Sequence, residues 1–136
     1  AAARFGFSLR LACPEELMPE KPYLDWAKKE RADISIGTDP VKAVKGADCV
    51  VTDTWVSMGQ TDAQRRKKVL KPYAVTDALM AKAAKDAIFM HCLPAYRGLE
   101  VSESVLEGPQ SVIFDEAENR LHAQKAILVT LMAGQA

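Results

Sequence analysis

The stretch AIFMHCLP, residues 87–94, decides the fold of this chain. Its apolar residues run without a break into a histidine, a cysteine and a proline. A short apolar run without polar alternation is typical of a strand that is covered on both faces, as the strands of parallel sheets are. His91 and Cys92 therefore stand where a buried strand ends. In open parallel sheets, this end of the strand borders the crevice in which ligands bind.

The rest of the chain repeats this pattern, with strands and helices in alternation. Residues 1–6 are predicted to form the last turn of a helix that ends at Gly6, and Asp39 and Thr76 are predicted to cap the start of two later helices. The apolar runs predict strands over 7–13, 32–38, 48–55, 73–75, 87–92 and 111–114. The intervening patterns predict helices over 19–31, 40–45, 61–70, 76–87 and 117–134. This alternation predicts an α/β fold, a doubly wound parallel sheet with helices on both faces of Rossmann-like type.

The composition excludes several classes of protein. The chain has 136 residues, which suits one domain, and its 18 basic residues balance its 18 acidic ones. Nucleic-acid-binding domains are usually strongly basic, so we expect no nucleic-acid partner. The basic run at 65–68 is interpreted as a solvated helix face. No apolar run approaches the roughly 20 residues of a membrane span, and the first ten residues do not resemble a signal peptide.

The cysteines favour a reducing compartment. Cys13, Cys49 and Cys92 are widely spaced, odd in number and without a C-x-x-C pair, which predicts free thiols in a cytoplasmic protein. Only His91 and His122 supply imidazoles, so the sequence predicts no metal site.

Three loops carry the residues that are chemically most informative. Asp53 directly follows the apolar run CVVT within the strand predicted over 48–55, and Ser57 follows that strand. His91 and Cys92 close the strand over 87–92, and Arg120 follows the last predicted strand. If the sheet brings these strand ends together, the five residues share one pocket.

Each of these residues also has an ordinary structural explanation. Asp53 suits an Asx-turn as well as an ammonium site, and the SMG segment at 57–59 suits a turn as well as a closing lid. Cys92 is either an inert small side chain or a thiol whose pKa a nearby cation lowers. A direct pair with His91 is disfavoured, because adjacent residues of a strand point to opposite faces.

Arg120 and Pro94 also have alternative explanations. Arg120 either neutralises neighbouring glutamates on its helix or donates to an anionic substrate oxygen. Pro94 is expected to hold Leu93 in an extended conformation and to leave its carbonyl available to a ligand.

Three motifs together resemble the ornithine carbamoyltransferase family. They are DTWVSMGQ at 53–60, HCLP at 91–94 and EAENR at 116–120, in this order and spread over nearly the whole chain. The related aspartate carbamoyltransferases have a proline in place of Cys92, so the resemblance points to the ornithine branch. It implies transfer of the carbamoyl group of carbamoyl phosphate to the δ-amine of L-ornithine, which gives L-citrulline and phosphate in arginine biosynthesis.

The resemblance also assigns roles to individual residues. It implies that Asp53 binds the α-ammonium of ornithine, while Ser57 and Met58 belong to the loop that closes over it. Cys92 is the proton acceptor that the family pattern proposes. The remaining contacts, to the carbamoyl phosphate end, are implied for His91, Cys92, the Leu93 carbonyl and Arg120. No metal or organic cofactor is implied, and Arg120 suits the negative charge of the tetrahedral intermediate.

The family pattern extends beyond this sequence. Its phosphate-binding STRT loop, its HPxQ motif and the first strand of its second domain have no counterpart here. We therefore expect an ornithine-binding domain over 1–116, truncated at its N-terminus, and a helix over 117–136 that packs on an absent N-terminal domain. The family forms homotrimers, and the isolated chain is expected to be inactive. The alternative is a non-catalytic α/β domain that binds a small molecule, whereas a dehydrogenase is disfavoured because no G-x-G-x-x-G occurs.

Overall fold

Helices and parallel strands alternate along the chain, which confirms the α/β class. The computed structural model describes residues 1–57, 59 and 61–134. The strands are β1 (Leu9–Ala12), β2 (Ile34–Gly37), β3 (Cys49–Thr52) and β4 (Ile88–His91). The helices are α1 (Ala2–Phe5), α2 (Lys21–Lys29), α3 (Pro40–Val44), α4 (Ala63–Leu70), α5 (Asp77–Met80), α6 (Glu103–Leu106) and α7 (Ile113–Met132). Short 3-10 turns lie at Glu15–Leu17 and Lys71–Tyr73.

The strands form two parallel pairs. In the first, β1 lies beside β2, with Leu9 opposite Ile34. In the second, β3 lies beside β4, with Thr52 opposite His91. Within the described ranges these pairs are two separate two-stranded sheets, although one continuous sheet was expected. Helix α3 contacts both β1 and α5, and it thereby links the two sheets.

The main core lies against the second sheet. Phe89 in β4 and Val101 before α6 are both fully buried. Burying one side chain of this size stabilises the fold by about 1.5–3 kcal/mol. The other buried members of the cluster are Val50, Val75, Leu79, Met80, Val105, Leu106 and Ile113. The carboxyl ends of β3 and β4 therefore project from the best-packed part of the molecule.

Several predicted elements differ from the structure. The predicted strand over 111–114 is wrong, because α7 begins at Ile113 and only Ser111 forms an isolated bridge, to Phe89. Asp115 and Glu116 lie in the first turn of α7, where negative charge favours a helix. The expected helix start at 117 and the domain boundary beside it therefore fall inside α7.

Two shorter predictions also need correction. The predicted strand over 73–75 begins in the 3-10 turn, and only Val75 pairs, through an isolated bridge to Val101. The predicted helix over 76–87 is confirmed at its start and ends early, at Met80. The cap is the predicted one, since the Thr76 side chain accepts a hydrogen bond from the Leu79 amide.

Helix α7 exposes most of its apolar side chains to solvent. Leu121, Ile127, Leu128 and Leu131 are each more than half exposed. Exposed apolar patches often mark surfaces that contact another protein segment. Despite this apolar surface, no helix in the described part of the chain has the length and hydropathy needed to cross a membrane.

Removing the cap of α3 is expected to cost about 1 kcal/mol of unfolding free energy. The Asp39 carboxylate accepts hydrogen bonds from the amides of Val41 and Lys42 at 2.9 and 3.1 Å, and Asp39→Ala leaves both donors unpaired. Urea denaturation of the 136-residue chain measures the loss, and Asp39→Asn, which keeps an acceptor oxygen, is the matched control. Equal stability of Asp39→Ala and the parent chain would show that this cap does not stabilise α3.

Candidate active site

Asp53 and Cys92 lie side by side at the carboxyl edge of the second sheet. The parallel register places Thr52 opposite His91, so the next residue of each strand falls at the same edge. The Cys92 thiol donates a hydrogen bond to Asp53 Oδ1, with a sulfur–oxygen distance of 3.1 Å. Both residues are exposed to solvent, so a ligand can reach them.

The loop after β3 is tied to its surroundings by three further hydrogen bonds. The Thr54 amide donates to Asp53 Oδ1 at 2.6 Å, and the Thr54 hydroxyl donates to the Pro94 carbonyl at 2.7 Å. Arg66 Nε of α4 donates to the carbonyl of Trp55, whose side chain is buried, at 2.7 Å. The basic run at 65–68 is therefore mostly an exposed helix face, in which Arg66 holds the Trp55 carbonyl and Arg65 pairs with Glu16.

His91 is buried beneath the loop, together with a carboxylate that the sequence analysis did not identify. Its Nδ1 accepts a hydrogen bond from the Leu93 amide at 2.9 Å, so in this arrangement the ring proton lies on Nε2. Nε2 lies 3.3 Å from Glu100 Oε1, which also accepts from the Tyr96 amide at 2.6 Å. Glu100 is fully buried. Its contact with His91 forms only when the loop after β4 folds back, so the sequence alone does not reveal it.

Leu93 adopts a left-handed backbone conformation, with φ of 57°, and its bond to Pro94 is cis. The expected extended conformation of Leu93 is therefore wrong. The His91 ring holds the Leu93 amide and Thr54 holds the Pro94 carbonyl, and these contacts outweigh the local preference. A non-glycine residue in this region costs about 1–2 kcal/mol, and such strain concentrates at functional sites.

The pKa of the Cys92 thiol is raised, which contradicts the hypothesis that a cation lowers it. The hydrogen bond to Asp53 is the largest cause, because it stabilises the protonated thiol beside a carboxylate. Partial burial and the negative charges of Asp53 and Glu116 act in the same direction. In this arrangement the thiol is neutral at pH 7 and acts as a hydrogen-bond donor.

Replacing Asp53 with asparagine is expected to make Cys92 more reactive towards iodoacetamide. The substitution removes the negative charge, so the pKa of Cys92 falls and more thiolate is present at pH 8. Because nucleophilicity also decreases as the pKa falls, we expect a gain of about threefold per pKa unit. The measurement is the alkylation rate of Cys92 in a chain whose other two cysteines are serines. Asp62→Asn, which alters a carboxylate at the start of α4, is the control, and an unchanged rate in Asp53→Asn would contradict the assigned cause.

The structure brings together only part of the set predicted from the sequence. Asp53, His91, Cys92 and Leu93 are joined by the contacts given above. Ser57 is exposed in the loop before α4, and Met58 lies outside the described residues.

Arg120 is separate from this group. It is exposed on α7, and within 1–57, 59 and 61–134 no hydrogen bond or ion pair links it to the other site residues. The alternative role of Arg120, an ion pair with Glu116 or Glu118, is not seen among the described residues either. Glu118 instead lies 3.5 Å from His122.

Three potential metal ligands also lie close together here, although the sequence, with only two histidines, predicts no metal site. One ligand atom each of Asp53, His91 and Cys92 lies within 4.8 Å of the others. This set of donors is chemically suited to zinc. Both His91 nitrogens are engaged, however, by the Leu93 amide and by Glu100. A metal could bind the ring only if one of these hydrogen bonds broke.

Comparisons with known proteins give a consistent assignment. The family model described as "Aspartate/ornithine carbamoyltransferase, Asp/Orn binding domain" matches residues 1–131. The ornithine carbamoyltransferase of Rhodopseudomonas palustris strain BisA53 is 63% identical over 128 residues, which are 94% of this chain and 41% of that protein. That of Brucella abortus strain 2308 is 61% identical with the same coverage.

Solved structures agree with the sequence matches. The ornithine carbamoyltransferase of Pyrococcus furiosus superposes with a TM-score of 0.89 at 42% identity, over 98% of this chain and 44% of that one. An N-acetyl-L-ornithine transcarbamylase mutant is more distant, with a TM-score of 0.78 and 30% identity over 93% of this chain and 41% of that one. This chain thus spans about two fifths of the length of its curated relatives. It belongs to the aspartate/ornithine carbamoyltransferase family and corresponds to the Asp/Orn binding domain of that family.

Proposed function

We propose that the complete protein is an ornithine carbamoyltransferase, which transfers the carbamoyl group of carbamoyl phosphate to the δ-amine of L-ornithine. In this proposal, residues 1–116 form the ornithine-binding domain. The observation that carries it is the hydrogen-bonded pair of Asp53 and Cys92 at the carboxyl edge of two parallel strands. The ornithine carbamoyltransferases to which the chain is similar support the choice of ornithine.

Asp53 is the proposed site for the α-ammonium of ornithine. Its Oδ1 already accepts hydrogen bonds from the Thr54 amide and the Cys92 thiol, which fix the orientation of the carboxylate. The side chain remains exposed, and a charge-assisted hydrogen bond to an ammonium is stronger than one between neutral groups.

Cys92 is the proposed acceptor of the proton that leaves the δ-amine. Such an amine has a pKa of about 10.4, so its proton must be removed for it to attack. The ammonium of bound ornithine compensates the negative charge of Asp53, which weakens the electrostatic contribution of Asp53 to the raised pKa of Cys92. The thiol can then ionise, and its proton passes to solvent, which reaches this exposed side chain. The thiolate takes one proton from the δ-ammonium, the neutral amine attacks the carbamoyl carbon, and the bond to phosphate breaks, with the second amine proton leaving on the phosphate.

The remaining site residues are proposed to act on carbamoyl phosphate and on loop closure. The Leu93 carbonyl, next to the strained backbone, and the exposed Arg120 guanidinium are proposed to contact the carbamoyl phosphate end. His91 positions the Leu93 amide from below. Ser57 and Met58 are proposed to close over ornithine.

The context of the domain is part of the same proposal. The exposed apolar side chains of α7 support the packing of residues 117–136 on a second, N-terminal domain. The three free cysteines support a cytoplasmic location. A homotrimer is proposed for the complete protein, through analogy with the family.

A carbamoyl-transfer assay tests the proposed function. The complete protein is expected to form citrulline from carbamoyl phosphate and L-ornithine and to leave L-aspartate unchanged. The 136-residue chain alone is expected to bind substrates weakly and to turn over negligibly. A preference for aspartate in the complete protein would overturn the proposed substrate. Turnover by the isolated chain within the common range of about 1–10³ s⁻¹ would overturn the proposed need for a second domain.

A further inference from the structure

Besides the bond between Asp53 and Cys92, another hydrogen bond joins the loop after β3 to the loop after β4. The Thr54 hydroxyl donates to the Pro94 carbonyl at 2.7 Å, although the two residues are 40 positions apart in the sequence. Both strands end at the same edge of the sheet, so this contact joins the two halves of the proposed site. The chemistry proposed above uses the bond between Asp53 and Cys92 and gives no role to the bond from Thr54.

Thr54 contacts the two loops through different atoms. Its amide donates to Asp53 Oδ1 at 2.6 Å, and its hydroxyl donates to the Pro94 carbonyl. Replacing threonine with valine removes the hydroxyl but keeps the branched shape of the side chain and the amide. The link to the loop after β4 can therefore be cut while the orientation of the Asp53 carboxylate is kept.

The Pro94 carbonyl adjoins the part of the backbone that the proposed reaction uses. On the amino side of Leu93, the Leu93 amide donates to His91 Nδ1 at 2.9 Å. The Leu93 side chain packs against the core cluster, which leaves the Leu93 carbonyl as the group that a ligand can contact. On the carboxyl side, the next carbonyl is the one that Thr54 holds. The Leu93 carbonyl therefore lies between two backbone groups that other side chains fix.

The conformation of Leu93 makes these outer contacts important. Its φ of 57° is one that residues with a side chain rarely adopt, and it persists only where the surroundings impose it. Release of the Pro94 carbonyl removes the restraint on the carboxyl side, so the Leu93 backbone can relax and its carbonyl can turn. The Thr54 hydroxyl thereby holds the direction of the neighbouring Leu93 carbonyl.

We propose that Thr54 is a positioning residue for carbamoyl phosphate. It acts through Pro94 on the Leu93 carbonyl, although its neighbour in the sequence, Asp53, is proposed to bind ornithine. This role rests on the proposed function, in which the Leu93 carbonyl contacts the carbamoyl phosphate end. Loss of the Thr54 hydroxyl therefore weakens the site for carbamoyl phosphate and spares the site for ornithine.

Steady-state kinetics of the complete protein test this role. In Thr54→Val we expect the KM for carbamoyl phosphate to rise about 3–10-fold, as loss of one neutral hydrogen bond allows, and the KM for ornithine to change less than about twofold. Thr54→Ser keeps the hydroxyl and should retain the parent values. Thr130→Val, which removes a hydroxyl that donates to the Ala126 carbonyl within α7, is the matched control and should change neither KM. Equal rises of both KM values, a rise for ornithine alone, or no rise at all would overturn the proposal.

Hydrogen exchange of the complete protein without substrates tests the contact independently of activity. Mass spectrometry of fragments that cover residues 91–96 should show about 3–10-fold faster exchange in Thr54→Val than in the parent or Thr54→Ser, because the backbone around Leu93 is released. Unchanged exchange there would overturn the positioning role. If the exchange differs as expected but the parent forms no citrulline, the proposed function is overturned, and the role for carbamoyl phosphate with it. If Thr54→Val does not fold, Thr54→Ala removes the same hydroxyl in both measurements.

Discussion

Replacing Asp53 with alanine in the complete protein is expected to lower kcat/KM for ornithine by about 10²–10³-fold. The proposed ion pair with the substrate ammonium is lost, and removing one partner of a desolvated charge pair costs about 2–5 kcal/mol. At 1.36 kcal/mol per factor of ten, the middle of that range gives the stated loss. Steady-state kinetics with ornithine as the varied substrate measure the effect, most of which should appear in KM.

Three controls make this result specific. Asp53→Asn keeps the acceptor for the Thr54 amide but removes the charge, so it should lose nearly as much as Asp53→Ala. Asp62→Ala alters a carboxylate outside the site and should change kcat/KM little. Cys92→Ser should lower kcat by about 10²–10⁴-fold if the thiol carries the proton. Unchanged turnover in both Asp53→Ala and Cys92→Ser, with the fold intact, would favour the alternative of a non-catalytic binding domain.

Removing the buried carboxylate of Glu100 is expected to destabilise the domain by about 3 kcal/mol. Glu100→Ala leaves the Tyr96 amide and His91 Nε2 without their acceptor in a fully buried position. Each unsatisfied donor costs about 1–3 kcal/mol, and the substitution leaves two of them. The loss is a large part of the roughly 5–15 kcal/mol that stabilises a typical domain. Urea denaturation of the 136-residue chain measures it.

Glu100→Gln keeps an oxygen that can accept the two hydrogen bonds but removes the carboxylate, so it tests the hydrogen bonds on their own. Its amide oxygen still accepts from both donors, so we expect well under half of the loss seen in Glu100→Ala. Glu103→Ala, at an exposed position in the first turn of α6, is the matched control and should cost less than about 1 kcal/mol. A loss below 1 kcal/mol in Glu100→Ala, or equal losses in the alanine and glutamine variants, would contradict the assigned role of the carboxylate.

The parts of the fold that could be predicted are those that local chemistry determines. The apolar runs that become β3 and β4 are unambiguous, and Asp39 and Thr76 cap helices because their side chains bond amides only two or three residues away. The prediction of a strand over 111–114 was wrong because the β-branched residues of this segment are typical of strands. Burial of Ile113 and the acidic first turn of α7 decide its structure instead.

The site was predictable in its residue types but not in its contacts. The pairing of Asp53 with Cys92 depends on the register between two strands that lie far apart in sequence. The conformation of Leu93 and the role of Glu100 depend on the folded loop, where tertiary hydrogen bonds override the preference that Pro94 imposes. The direction of the Cys92 pKa shift follows from the same geometry and could not be obtained from its sequence neighbours.

The central claim is that the edge formed by Asp53 and Cys92 binds ornithine. The most direct measurement is a titration of the ¹⁵N-labelled 136-residue chain with L-ornithine, followed by NMR. We expect shifts concentrated at the amides of Thr54, Cys92 and Leu93, with a Kd in the millimolar range, or about −4 kcal/mol. L-Aspartate should leave these amides unchanged. If ornithine shifted none of them at concentrations up to about ten times 1 mM, where such a site is mostly filled, or if aspartate shifted them equally, the assignment of this edge would be wrong.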